Sequence, residues 1–230
     1  MRMLRRSIAI AGGFLITACA QQAVIEDDML RVEGELPATF DGAWERDYAR
    51  GDEANAVLNK IMYELARTQA DLAYPGTPGV PSTGGISPQK RNAVLAIARL
   101  AELITRTNTL IISQTDNEIS VEREEDFAIF CAFFNGAAKA TETTYGREIC
   151  GWDDANLISL LQLPDGLVIR HKFTVSDDHQ QLRVITTVAS SSSPAPFTLS
   201  RFYRRYTPNE SEFRCVETLS MKRVCSTGDL

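Results

Sequence analysis

The sequence predicts an α+β fold: an antiparallel β-meander, curled into a barrel or half-barrel, with two helices inserted after the first strand. Three observations predict it. From Thr107 almost to the C-terminus, apolar residues recur with period two or in short runs. The segments between those runs are turn chemistry, such as Asp116-Asn117, Asp153-Asp154, Pro164-Asp165-Gly166 and Asp177-Asp178-His179. Residues 52–106, by contrast, carry apolar residues at helical spacing in two blocks.

The chain opens with MRMLRR, then an uncharged run SIAIAGGFLI, then the small residues Thr17 and Ala18. A basic head, a short apolar run and a small-residue exit make a secretory signal over residues 1–18. The run is too short to span a bilayer as a helix. Ile16-Thr17-Ala18-Cys19 resembles the lipobox of bacterial lipoproteins. The resemblance implies cleavage before Cys19, acylation of its thiol and anchoring to a membrane, and two or more acyl chains anchor stably. Ala20, in place of Asp, resembles the sorting signal for the outer membrane. The implied place is its inner leaflet, facing the periplasm of a bacterial envelope. Residues 19–37 then read as a polar, acidic tether, spanning about 25 Å on average if flexible.

Residues 38–230 are expected to form one domain. TFDGAWERDY (39–48) alternates around Phe40, Trp44 and Tyr48 and reads as the first strand. From Asp52 to Leu72 a helical stripe runs through Val57, Leu58, Ile61, Met62, Leu65, Ala66, Gln69 and Leu72. The Pro- and Gly-rich segment 74–87 is a loop; it lacks the Gly-Lys-Ser/Thr of a phosphate-binding loop. Ser87-Pro88 caps a second helix to about Arg106, completing a helical hairpin over 52–106. Strands are expected at 109–115, 118–124, 126–134, 143–152, 156–163, 167–176, 181–190, 197–206 and 212–219. DFAIFCAFF is apolar on both faces, so it should lie between the sheet and another layer. The helical hairpin fits that place.

Gly42-Ala43-Trp44, Leu110-Ile111-Ile112, Trp152, Leu167-Val168-Ile169, Asp178 to Leu182 and Phe202-Tyr203-Arg204 carry a further resemblance. Together they resemble a group of exported, uncharacterised proteobacterial proteins with lipocalin-like, partly open barrels. A Gly-x-Trp first strand is shared with lipocalins; the inserted helices depart from them. The resemblance implies a lipocalin-like domain.

Taking Arg2, Arg5 and Arg6 from 24 Lys+Arg leaves 21 against 30 Asp+Glu, a balance of −9 after signal removal. An acidic chain argues against nucleic acid as a partner. Four cysteines remain after Cys19, and in an exported chain they read as two disulfides. Three connectivities are open. Nearest-neighbour pairing is expected: Cys131–Cys150, whose strands flank the polar turn region NGAAKA, and Cys215–Cys225, which close a short loop. No Cys-x-x-Cys is present, and His171 and His179 lack ligand-like spacing to the cysteines, so no metal or other cofactor is expected.

No Gly-x-Ser-x-Gly elbow is present. No catalytic residue is expected and the chain reads as non-enzymatic. His179 sits in a polar turn and needs no special role. His171 shares a strand face with Leu167, Ile169, Phe173 and Val175. It reads as a polar contact inside a pocket or a general base, or else as a core histidine bonded to a neighbour. RFYRRY puts Arg201, Tyr203 and Arg205 on one face. Arg offers forked donors for carboxylate or phosphate, and Tyr an amphipathic platform; the competing role is cross-strand pairing with Asp and Glu. Glu122, Glu124, Glu125 and Asp126 lack calcium-loop spacing and read as a solvated turn. The expected function is a membrane-anchored envelope lipoprotein that binds a lipophilic or anionic small ligand, with His171, Arg201, Tyr203 and Arg205 as candidate contacts, or an accessory factor. The alternative is a structural or assembly component with an envelope protein partner. An envelope hydrolase needs a nucleophile and base that the sequence does not pair.

Overall fold

A computed structural model describes residues 39–73, 86–124, 127–134, 137–138, 140–207, 214–219 and 222–226. The signal segment, Cys19, the tether and the 74–85 loop lie outside the described residues. The fold is α+β, an antiparallel sheet curled into a half-barrel with two helices inserted after the first strand.

The first strand, β1 (Gly42–Gly51), is followed by α1 (Ala54–Ala73) and α2 (Pro88–Ile104). The meander then runs through β2 (Thr109–Gln114), β3 (Glu118–Arg123) and β4 (Ile129–Phe134). Two short strands follow, β5 (Ala137–Ala138) and β6 (Thr141–Thr143). Next come β7 (Gly146–Asp153), β8 (Asn156–Gln162), β9 (Leu167–Val175), β10 (Gln181–Ser190) and β11 (Phe197–Tyr206). β12 (Arg214–Thr218) and β13 (Lys222–Ser226) form a separate two-stranded ribbon.

The 11-stranded sheet has the order β5-β4-β3-β2-β1-β11-β10-β9-β8-β7-β6. β1 pairs with β2 on one side and with β11 on the other, Trp44 standing opposite Leu110 and Arg205. The first strand therefore joins the two halves of the meander, and the free edges fall in mid-chain, between β4 and β7. Cys131 of β4 and Cys150 of β7 are disulfide-bonded, with Cα atoms 5.7 Å apart. The expected pair is present. It staples the two ends of the sheet across the seam.

β1 ends at a bulge between Arg46 and Gly51. Gly51 has φ +113°, and a Cβ there would stand 2.7 Å from the Ser200 carbonyl oxygen. Only glycine fits this turn. Asp52 then fixes the chain to β11: its amide donates to Ser200 O at 3.0 Å and its carboxylate accepts from Ser200 N at 2.8 Å. α1 starts from there. α2 opens as expected, with the Ser87 hydroxyl accepting from Lys90 N and Pro88 in the first turn. It closes on Thr105, whose hydroxyl donates to Ala101 O at 2.7 Å.

Alternate residues of every main strand face inward. One interior cluster fills one end of the curl, with Phe40, Trp44, Ile112, Ile119, Trp152, Phe173 and Leu182 among its members. At the other end Ile169, Val188, Phe197 and Leu199 meet Ile97, Ala98 and Ala101 of α2, with Val57, Leu58 and Ile61 of α1 half-buried behind them. The hairpin thus packs on β10 and β11, not on β4 as the doubly apolar DFAIFCAFF led one to expect. In β4, Ile129, Cys131 and Phe133 are buried while Phe130 and Ala132 are only half-buried. The strands buried on both faces are β7 and β8, where Ile149, Ile158 and Leu160 back the inward residues. Alternation of size in β4 misled the assignment: phenylalanines fall on both faces of it, but only one face meets the core.

Candidate functional site

A lateral row of polar side chains crosses the inner face of the sheet. Ser159 of β8 stands directly opposite His171 of β9, and His171 opposite Thr186 of β10. All three are buried, as is Arg201 of β11. These inward positions interrupt otherwise apolar ladders, Leu157-Ser159-Leu161 and Val184-Thr186-Val188. They separate the two apolar clusters. Glu148 of β7 and Arg123 of β3 also lie on inward positions, in register with Leu161 and Leu110.

Two cavities adjoin this row. The larger holds about 290 Å³ and lies against the seam. Leu161, Leu163, Leu167, Ile169, Leu100 and Ile104 make its walls; Phe127 and Tyr145, both exposed, stand at its rim. Glu148, Ser159, His171 and Arg123 form its polar side. Leu219, just after β12, also lines it. The smaller void, about 20 Å³, lies between His171, Thr186, Arg201, Tyr203, Thr105 and Thr107. That is room for one water molecule.

The polar groups are in unequal states. His171 Nδ1 is 2.8 Å from the Thr186 hydroxyl. Among the described residues its other nitrogen, Nε2, has no hydrogen-bond partner. Burial, aided by the positive charge of Arg123, lowers the imidazole pKa to about 3, so the ring is neutral. Glu148 is only 8% exposed, yet no described residue hydrogen-bonds its carboxyl. Burial raises its pKa to about 7, with Arg123 working in the opposite direction. The Arg123 side chain donates to the Phe127 carbonyl at 2.8 Å through Nε and also through Nη2, which ties β3 to the cavity rim.

The sequence-predicted residues divide into two groups. His171, Arg201 and Tyr203 come together around the small void, and His171 lines the large cavity as well. Arg201 donates to the Asp52 carbonyl through Nη1, while its Nε has no partner among the described residues. Burial lowers the pKa of Arg201 and raises that of Tyr203, whose hydroxyl donates to Thr107 O at 3.3 Å. Arg205 shares their face but lines neither cavity. It lies over the Trp44 ring, 4.3 Å from its centroid, and donates to His179 O at 2.8 Å and Asp41 O at 2.6 Å. These contacts make it a clamp on the first strand rather than a cavity contact. Cys215 and Cys225 stand opposite each other in the β12–β13 register; their side chains lie outside what is described. Among the described residues no cluster of three metal-ligating side chains forms, and no helix is long and apolar enough to cross a membrane.

Glu148 makes stability pH-dependent. Its folded pKa lies above the unfolded value of 4.5. The folded state therefore holds a proton between pH 4.5 and about 7 that the unfolded state has lost, and stability from this group falls as pH rises through that window. His171 acts in the opposite sense, since its depressed pKa costs stability as pH falls below 6.5. Comparing wild type with Glu148→Gln isolates the first group. Urea unfolding between pH 4 and 8 should show the variant gaining about 3 kcal/mol on wild type over that range. Parallel curves would show that Glu148 is not held protonated.

No protein-family model matches the chain, and a search of curated proteins finds no match to its sequence.

Proposed function

We propose that the chain is a membrane-anchored envelope lipoprotein, without enzymatic activity, whose half-barrel holds a small lipophilic ligand in the seam cavity. The observation that carries this is the cavity itself: leucine and isoleucine walls, with two buried polar groups, Glu148 and His171 Nε2, that no described residue satisfies. Apolar walls with a few placed polar groups are the usual make-up of a small-molecule site. The placement at an envelope membrane rests on Ile16-Thr17-Ala18-Cys19 and the segment before it.

The polar row also bears on catalysis. Ser159 and His171 face each other across two strands, the elements of a hydrolase pair. No hydrogen bond joins them among the described residues. An imidazole with a pKa near 3 is a poor base at neutral pH. Among the described residues Glu148 is the sole carboxylate lining the cavity. These features favour binding over bond cleavage.

The test is native mass spectrometry of the full chain carrying Cys19→Ser, expressed for export and purified without detergent. A retained mass of lipid size is expected. A protein that carries none, and takes none up from added lipid extract, would overturn the reading.

A further inference from the structure

The polar end of the cavity limits what head group a ligand can have. Glu148 and Ser159 lie on β7 and β8, and His171 on β9, all facing the same space. Glu148 and His171 are each more than nine-tenths buried, and their free polar atoms face no protein partner among the described residues. Two groups left this way are costly unless a ligand or water satisfies them. Among the described residues lining the cavity, the charged or titratable groups beside Glu148 are Arg123 from β3, His171 from β9 and Tyr145 from the turn before β7, and α2, β4 and β8 present uncharged side chains to it.

When Glu148 is protonated, its hydroxyl is a donor. The Ser159 hydroxyl is a second. In the tautomer whose Nδ1 accepts from the Thr186 hydroxyl, the neutral imidazole carries its proton on Nε2, a third donor. Arg123 adds a positive charge that acts on both Glu148 and His171. Three donors and a positive field suit a group with several lone pairs and a negative charge, which is a carboxylate. An alcohol uses fewer of these donors, and an ammonium opposes both the donors and the field. The size of the chain follows from the space. At roughly 30 Å³ for a water-sized group, about 290 Å³ holds about ten non-hydrogen atoms, the number in an eight-carbon fatty acid.

Resting on the binding reading above, we propose that the seam cavity is a carboxylate site for one medium-length acyl chain, and that the bound head group shares a single proton with Glu148. Two carboxyl groups in contact do not both ionise. Below pH 7, where Glu148 already holds its proton, the ligand anion binds without proton exchange. At pH 8 both partners begin ionised, and one proton enters from solution as the complex forms. Affinity then falls roughly tenfold for each pH unit above the Glu148 pKa.

Titration calorimetry of the Cys19→Ser chain tests this with octanoate, octanol and octylamine at pH 6 and pH 8, in two buffers of different ionisation enthalpy. The expected result is octanoate bound most tightly at pH 6, about tenfold more weakly at pH 8, and with close to one proton taken up at pH 8. Octanol should bind with no pH dependence, and Glu148→Gln should remove the pH dependence for octanoate. Octanol or octylamine equalling octanoate at pH 6 would overturn the carboxylate assignment and leave lipophilic binding standing. Octanoate binding that is equal at both pH values without proton uptake would overturn the proton shared with Glu148. Absence of binding by all three probes would overturn the lipophilic-binding reading itself.

Discussion

Replacing Trp44 with alanine should lower the unfolding free energy by about 3–5 kcal/mol, measured by urea unfolding at neutral pH. Trp44 is fully buried. It lies in the one strand that joins the two halves of the meander. Its indole N–H donates to Phe40 O at 2.9 Å, and the Arg205 guanidinium covers its ring at 4.3 Å. Phe40 in turn packs against Trp152 of β7, with ring centroids 5.5 Å apart and the ring planes tilted by 44°. The substitution therefore removes apolar area, opens a cavity and leaves the Phe40 carbonyl and Arg205 without their contacts. Trp44→Phe should cost less, because most of the ring volume stays. A loss below about 1 kcal/mol for alanine would mean that this end of the curl collapses to fill the space.

Removing the seam disulfide should have the next largest effect. The two cysteines are 19 residues apart in sequence. In the chain-entropy model, closing a loop of that length is worth about 3 kcal/mol. The double variant Cys131→Ala, Cys150→Ala should lose about that much. Position adds a functional consequence. Ala128 and Ile129 line the seam cavity two or three residues before Cys131, and Glu148 lines it two before Cys150. The disulfide thus holds the two cavity lips together where, among the described residues, no strand ladder joins the edge strands β5 and β6. The double variant should bind octanoate more weakly even at temperatures where it stays folded. Full stability and unchanged binding would show that β4 and β7 stay together through side-chain packing alone.

Much of this architecture is legible in the sequence, for physical reasons. Period-two patterning placed β2, β3 and β7 to β11 within a few residues, because one face of each strand is buried and turn residues punctuate them. Ser87-Pro88 marked the start of α2 by cap chemistry alone. The short β5 and β6 were missed because two or three residues carry no periodicity, and β13 was missed as well. Pairing of distant strands was also invisible, because β1–β11 contact depends on how the whole sheet curls. For that reason the hairpin was assigned to the wrong strand, and the place of Cys131–Cys150 across the seam was not visible. His171 and Arg201 were found because charged or titratable residues stand out on an apolar face. Ser159 and Thr186 did not, since small hydroxyl residues are ordinary in strands. Glu148 and Arg123 were missed for another reason: each is one charge among many, and only the fold shows that both point inward. Strand parity would have found them, had the inward phase of β3 and β7 been fixed by Val121 and Cys150.

If ligand sits in the seam cavity, Leu161→Trp should exclude it. Leu161 faces the cavity from β8, opposite Glu148 and Ile169, so an indole there fills the space without a change of charge. Native mass spectra of the Cys19→Ser chain with and without this substitution should differ. The expected result is a retained small molecule in the parent and a bare, folded protein in the variant. A folded variant that keeps the same bound mass would contradict it, since the ligand would then lie elsewhere.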